Sequence, residues 1–169
     1  MSELFEKAKE NIKTKGLPIV EDERTLMPLY ISLRVFPLRY QIGIAKIQKF
    51  FEGLKKGKVY ATQCNKCAKK FFPPRAVCPT CLNSNVSWVE VNCEGELLTY
   101  TIITVKPPSF AHYKDYVVGI AQLKDGLKVL AWVNVDDPKK LKPGTQVRLT
   151  TTKRDPEGYV TYELVPISL

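Results

Sequence analysis

The sequence predicts a mainly β chain with an N-terminal α-helical arm, in which a small metal ribbon leads into a five-stranded barrel. Three observations predict this. Four cysteines stand as two Cys-x-x-Cys pairs, Cys64/Cys67 and Cys78/Cys81. From residue 93 onward, runs rich in β-branched and aromatic residues alternate with turn dipeptides. Both helical patterns lie before the cysteines. At 169 residues the chain has room for one ordinary domain or two small ones, and the patterns divide it into 1–57 (arm), 58–92 (ribbon) and 93–169 (barrel).

The arm begins with a helix over 3–14, where Leu4, Phe5, Ala8 and Ile12 share one side and Gly16 and Pro18 end the pattern. Over 29–35, Leu29, Ile31, Leu33 and Val35 alternate with Tyr30, Ser32 and Arg34, a strand pattern that Pro37 stops. From 44 to 55 the period turns helical again: Ile47, Phe50, Phe51 and Leu54 fall at i, i+3, i+4 and i+7, and Gly53 and Gly57 punctuate the end. Lys46, Lys49, Lys55 and Lys56 lie on or near the opposite face, as on an ordinary solvated surface.

In the ribbon, each Cys-x-x-Cys turn aims two thiolates at one point, so two such turns complete four sulfur ligands around one ion. The start of the chain, Met1-Ser2-Glu3-Leu4-Phe5-Glu6, is acidic and mixed, unlike a secretion signal. A metal site is therefore expected of Cys64, Cys67, Cys78 and Cys81 in place of disulfides. Zn²⁺ is the default, with iron in a rubredoxin-like site as the alternative, since sulfur tetrahedra accept either. Four thiolates leave no open position for water, so the ion is expected to be structural. Lys66, Lys69, Lys70 and Arg75 offset its net negative charge. Cys93 stands alone and reads as a small buried hydrophobe.

Short strands 59–62 and 70–72 flank the first cysteine pair, and Phe71, Phe72 and Trp88 are expected to cover the ribbon or dock it. The barrel follows as strands over 96–105, 116–124, 127–135, 145–152 and 159–166. Asp125-Gly126 marks a two-residue hairpin, and Pro143-Gly144 and Pro156-Glu157-Gly158 mark two further turns. Five strands with no room for crossover helices suit a Greek-key OB-fold barrel better than a sandwich.

Hydrophobic residues make up 44% and charged residues 25%, which excludes a disordered tail, a collagen-like chain or a coiled-coil rod as the main identity. No apolar run is long enough to span a membrane, so a soluble, cytoplasmic protein is expected. The net charge of +9 is concentrated before residue 93. Residues 1–60 carry 12 Lys/Arg against 7 Asp/Glu, 61–92 carry 4 against 1, and 93–169 carry 10 against 9. Nucleic acid, anionic membrane and phosphorylated cofactors all attract such a chain.

Tyr40-Gln41-Ile42-Gly43, Phe50-Phe51-Glu52-Gly53-Leu54, the cysteine pairs with Phe72-Pro73-Pro74-Arg75, and then Glu94-Gly95-Glu96 and Leu123-Lys124-Asp125-Gly126 together carry a resemblance over about 40–166. They resemble the zinc-ribbon/OB-fold family long catalogued as a domain of unknown function, whose members are often encoded beside, or fused to, thiolase-like enzymes. The resemblance implies a rubredoxin-like zinc ribbon followed by an OB-fold barrel. It also implies a non-catalytic accessory or scaffold protein for thiolase-type acyl-CoA enzymes. In archaea such proteins are held to bridge acetoacetyl-CoA thiolase and 3-hydroxy-3-methylglutaryl-CoA (HMG-CoA) synthase of the mevalonate route. Ala68 stands where the family usually has Gly, at a position where Gly permits positive φ.

An acyl-CoA surface needs a few cations beside an aromatic-lined groove. Arg34, Arg39, Lys46, Lys49 and Phe50, with Tyr40 and Phe51, supply that combination as coenzyme A (CoA) candidates. The alternative is a nucleic-acid-binding module, in which Tyr100, Tyr113, Tyr116, Trp132, Tyr159 and Tyr162 would stack on bases. The near-neutral barrel segment is a poor track for phosphates. Independent catalysis is disfavoured, because no Gly-rich phosphate loop or HExxH motif occurs and His112 is the only histidine.

Overall fold

The computed structural model describes residues 2–33 and 41–167. Contacts divide the chain into two compact units, Met1–Ile42 and Gly43–Leu169.

The first unit holds helix α1 (Ser2–Lys15) and an antiparallel pair, β1 (Ile19–Glu21) with β2 (Pro28–Tyr30). Glu3 in the first turn and Lys13 and Lys15 in the last complement the helix dipole. Gly16 ends the helix at φ 74, its N–H donating to the Ile12 carbonyl. In the turn between the strands, the Asp22 carboxylate accepts from the N–H groups of Arg24 and Thr25. Strand β2 stops at Tyr30, short of the expected 29–35 run, because β1 offers only three residues to pair with. Residues 34 and 35 of that run lie outside the described residues.

The second unit opens with a 3₁₀ turn (Ala45–Ile47) that runs into helix α2 (Gln48–Lys55), within the span where helical periodicity is expected. Three strands form the ribbon sheet: β3 (Tyr60–Cys64), β4 (Lys70–Phe71) and β5 (Val86–Glu90), in the order β4-β3-β5. The barrel contains β6 (Glu94–Ile103), β7 (Tyr116–Leu123), β8 (Lys128–Val133), β9 (Gln146–Arg154) and β10 (Tyr159–Pro166). It closes in the order β10-β8-β7-β6-β9, the one parallel pairing being β10 with β8. This is the expected five-stranded OB-fold, with mostly strands throughout the unit.

β6 serves both sides of the barrel, pairing through Glu94–Glu96 with β9 and along most of its length with β7. A register shift between Leu97 and Thr99 bends it. The bend brings backbones together at Gly95, where an added Cβ would lie 2.2 Å from the Gln122 carbonyl oxygen. Inward positions alternate as β strands require: Val117, Ala121 and Leu123 on β7, Val129, Ala131 and Val133 on β8. Their core continues beyond the barrel. Phe50 and Leu54 of α2 and Val59 and Ala61 of the ribbon belong to the same buried cluster as Leu97, Val147, Leu149 and Leu164. Phe72 and Trp88 pack against it, so two of the three ribbon aromatics dock as expected, while Phe71 lies under Arg75. Although the division at 57 groups α2 with the arm, its buried face lies with ribbon and barrel. No helix among the described residues is long and apolar enough to cross a membrane.

Candidate metal centre

The ribbon brings its four thiols together by two similar turns. Cys64 ends β3, and the chain folds back so that the Ala68 N–H donates to the Cys64 carbonyl at 2.9 Å. The second turn repeats this, with the Leu82 N–H donating to the Cys78 carbonyl at 2.9 Å. Both residues after the pairs take positive φ, 58° at Ala68 and 50° at Leu82, the conformation for which a glycine is best suited. In each turn an N–H also points at a sulfur: Lys66 N–H at Cys64 Sγ and Cys81 N–H at Cys78 Sγ, both 3.4 Å.

Three side chains, Thr62, Asn65 and Lys69, hold the two turns in register. The buried Thr62 hydroxyl donates to the Arg75 carbonyl and accepts from the Arg75 N–H, clamping the second turn's approach to β3. Asn65 donates to the Asn85 side-chain oxygen and accepts from the Ser87 hydroxyl. The Lys69 ammonium reaches the Thr80 hydroxyl at 3.2 Å. Lys70 instead points to Asp125 in the barrel hairpin, 3.7 Å away, and Arg75 lies over the Phe71 ring.

All four Sγ atoms lie within 4.8 Å of one another, Cys64 and Cys78 buried, Cys67 and Cys81 half-buried. Sulfurs about 2.3 Å from a central ion stand about 3.8 Å apart at the corners of a tetrahedron. The Cys67–Cys78 separation of 3.7 Å has that edge length. Donor number, donor type and spacing therefore fit one Zn²⁺, and an S₄ set admits iron equally. The thiols perturb one another strongly. Burial opposes ionisation of Cys78, yet backbone N–H groups of Cys81 and Thr80 and the neighbouring thiols bring it down to about 6. The hydrogen bond to Cys67, with burial, pushes Cys81 up to about 12. A thiolate cluster of this kind is unfavourable without a cation at its centre.

The coenzyme A candidates are placed differently. Arg34 and Arg39 lie outside the described residues. Lys46 is exposed in the 3₁₀ turn. The Lys49 ammonium sits 5.0 Å from the Tyr60 ring centroid and 5.9 Å from that of Trp88, a cation–π contact. Phe50 is a core residue, meeting Phe51, Phe72 and Tyr162 edge to face. Cys93 is half-buried with its Sγ toward the Val91 carbonyl, and burial raises its pKa, as suits an inert thiol.

One group on the barrel lies outside those candidate sets. Tyr116 and Trp132 point outward between the inward positions of β7 and β8 and stack at 4.0 Å, with the Arg154 guanidinium 3.7 Å from the Trp132 ring centroid. Stacking tyrosines and Trp132 are legible as types; Arg154 is not, because its neighbour comes from a different strand.

A zinc-type ribbon with four converging thiols, packed onto an OB-fold barrel, defines the class. Two family models match in the same order: the ChsH2 rubredoxin-like zinc ribbon domain over 51–87 and the ChsH2 C-terminal OB-fold domain over 88–152. A scaffold protein of Pyrococcus furiosus containing the DUF35 domain is 33% identical over 94 residues, covering 54% of this chain and 69% of the relative. Its counterpart in Methanothermobacter thermautotrophicus is 28% identical over 98 residues, 57% of this chain and 74% of that one. Among solved structures, the Ltp2-ChsH2(DUF35) aldolase aligns with a TM-score of 0.63 at 25% identity, over 77% of this chain and 100% of that chain. The chain belongs to the DUF35 family of zinc-ribbon/OB-fold proteins.

Proposed function

We infer that this protein is a non-catalytic cytoplasmic scaffold for a thiolase-type acyl-CoA enzyme, with acetoacetyl-CoA thiolase and HMG-CoA synthase as the partner pair to test first. The observation that carries this reading is the likeness, across the full matched chain, to the DUF35 component of a two-protein aldolase. The scaffold description of the Pyrococcus and Methanothermobacter relatives supports it.

Cys64, Cys67, Cys78 and Cys81 would hold one structural zinc. Bound there, the ion supplies folding energy to a segment too small for a core of its own, about 10–16 kcal/mol apparent for such sites. Four sulfur ligands leave it no open position for substrate, which supports an organising role over a chemical one. Lys46 and Lys49 would meet the phosphates of CoA, while Phe50 supports α2 from the core. Holding two enzymes on one scaffold raises the effective concentration of a thioester product at the next active site, to the order of millimolar for short tethers.

Calorimetric titration of the zinc-loaded protein with purified cognate thiolase, with HMG-CoA synthase and with acetyl-CoA tests the reading. Heat of binding to at least one enzyme is expected. Silence in both enzyme titrations removes the scaffold role, and silence with acetyl-CoA alone removes only direct CoA contact.

A further inference from the structure

The barrel carries an arginine that its neighbours orient but that no carboxylate among the described residues neutralises. Arg154, the last residue of β9, sets its guanidinium carbon over the Trp132 ring, 3.7 Å from the centroid, and Trp132 in turn stacks on Tyr116 with an interplanar angle of 16°. Tyr113 meets Trp132 edge on at 5.1 Å, and Phe110 closes the group at 6.3 Å. Stacking fixes the guanidinium plane while leaving its N–H edge available, the arrangement that recognises a carboxylate with two parallel hydrogen bonds. Yet no carboxylate of the described residues lies within ion-pair distance of Arg154.

Three of the acids nearby are engaged elsewhere, and Asp155, next in the chain, forms no ion pair with Arg154. Glu157, three residues on, accepts from the Tyr113 hydroxyl and pairs with His112 at 3.2 Å. Asp115 is bound by Lys106 at 2.5 Å, and Glu163 accepts from the Asn134 amide at 2.8 Å. The Glu157 contacts also tie the β6–β7 loop to the β9–β10 turn, fixing the rim. Between them opens a groove of about 310 Å³ lined by Tyr113, Tyr116, Trp132, Asn134, Arg154 and Glu163.

Trp, Tyr and Arg gathered at one rigid spot form the composition that dominates binding energy at protein interfaces. A polyphosphate chain is a poor occupant, since Asp115, Asp155 and Glu163 line the groove and the 93–169 segment carries only one net positive charge. A single carboxylate flanked by apolar groups carries one negative charge where a polyphosphate carries several, so it meets far less of that repulsion while still pairing with Arg154. We propose that this groove is a docking site for the scaffold's partner enzyme, in which Arg154 receives a surface Asp or Glu carboxylate of that enzyme while Trp132 and Tyr116 cover the adjoining side chain.

The inference rests on the scaffold reading, and the experiment separates the two. Wild-type protein, Arg154→Lys and Arg154→Glu are titrated into the purified cognate thiolase-type enzyme, each variant first matched to wild type in zinc content and melting temperature. Arg154→Glu is expected to weaken binding by ~30-fold or more, the threshold of an interface hot spot, and Arg154→Lys by a smaller factor, since charge remains and the fork is lost. Wild-type binding with unchanged affinity in Arg154→Glu overturns the docking site and leaves the scaffold role standing. Failure of the wild type to bind overturns both. Two further arms use the same variants. Binding of a dT20 oligonucleotide that depends on Arg154 assigns the groove to phosphates, and Arg154-dependent self-association in sedimentation assigns it to a second copy. Either result overturns the proposal.

Discussion

Cys67 and Cys78 bring their sulfurs to 3.7 Å across eleven residues of chain, although they belong to different turns. Nothing in the local sequence of either turn fixes that distance; the Thr62–Arg75 clamp and the Asn65–Asn85–Ser87 contacts do. Protein purified under reducing conditions should therefore contain one tightly held zinc, or one iron, per chain. Cys67→Ser and Cys78→Ser should each reduce the metal content below about a tenth of that, measured by plasma emission. Chelation of the wild type should lower its melting temperature, because metal binding to such a ribbon is folding energy. Full stability without metal would contradict the structural role.

Leu82 carries a left-handed backbone at φ 50 and is 82% exposed, so its side chain contributes little packing to set against the strain. Leu82→Gly should stabilise the metal-loaded protein by about 1 kcal/mol, the scale of an L-residue held in that region. Ala68→Gly, at φ 58, should act in the same direction. Urea unfolding at fixed zinc concentration measures both.

Gly95 and Gly119 should respond differently to the same methyl group. At Gly95 the new Cβ meets backbone, 2.2 Å from the Gln122 oxygen and 2.7 Å from the Leu123 Cα. At Gly119 its two closest neighbours are the side-chain methyls of Leu97 and Val133, at 2.7 and 2.8 Å. Side chains shift more easily than paired strands. Gly119→Ala is expected to cost about 1–3 kcal/mol, and Gly95→Ala that much or more. The two unfolding curves give the order directly.

Glu94 joins the barrel hairpin to β9, accepting from Lys124 at 2.6 Å and from Arg148 at 3.1 Å. Hydrogen bonding to Lys124 first, and then to Arg148, holds its pKa below the usual 4.5. A depressed acid adds stability above its unfolded pKa and loses it as the pH falls through the folded value. The melting temperature of Glu94→Gln should therefore trail the wild type at neutral pH, and the gap should close progressively below pH ~4. A gap that widens in acid would reverse the sign.

These elements were not equally legible in the sequence. The cysteine pairs were, because a Cys-x-x-Cys turn is a local geometry that needs no tertiary context. So was β10, whose bounds match the expected 159–166, because a run rich in Val, Thr and Tyr follows directly on the Pro156-Glu157-Gly158 turn. Strands β1 and β5 were not anticipated. Ile19–Glu21 is too short to show a period, and Val86–Glu90 becomes a strand by pairing with β3 across the cysteine loops. Arg154 reads in sequence as one more charge before a turn. Only barrel closure sets it on Trp132, and periodicity within one strand carries no information about that.

Phe50 marks where two sequence readings of one residue part. Its place in sequence beside Lys46 and Lys49 suits a coenzyme A contact, yet its ring is 5% exposed and joins α2 to Phe72 of the ribbon and Tyr162 of the barrel. Phe50→Ala should cost about 3–5 kcal/mol of stability, as removal of a buried ring does. The two lysines predict the opposite pattern. Lys46 is exposed and Lys49 loses a cation–π contact worth about 0.5–1 kcal/mol at such a site, so Lys46→Ala/Lys49→Ala should leave the melting temperature nearly unchanged. If these lysines meet CoA phosphates, the double variant should bind acetyl-CoA several-fold more weakly. Phe50→Leu, which keeps most of the core volume, should bind it as the wild type does. Equal losses in the lysine double variant and in Phe50→Leu would mean that the α2 core opens to the ligand, and the division of labour drawn from burial would be wrong.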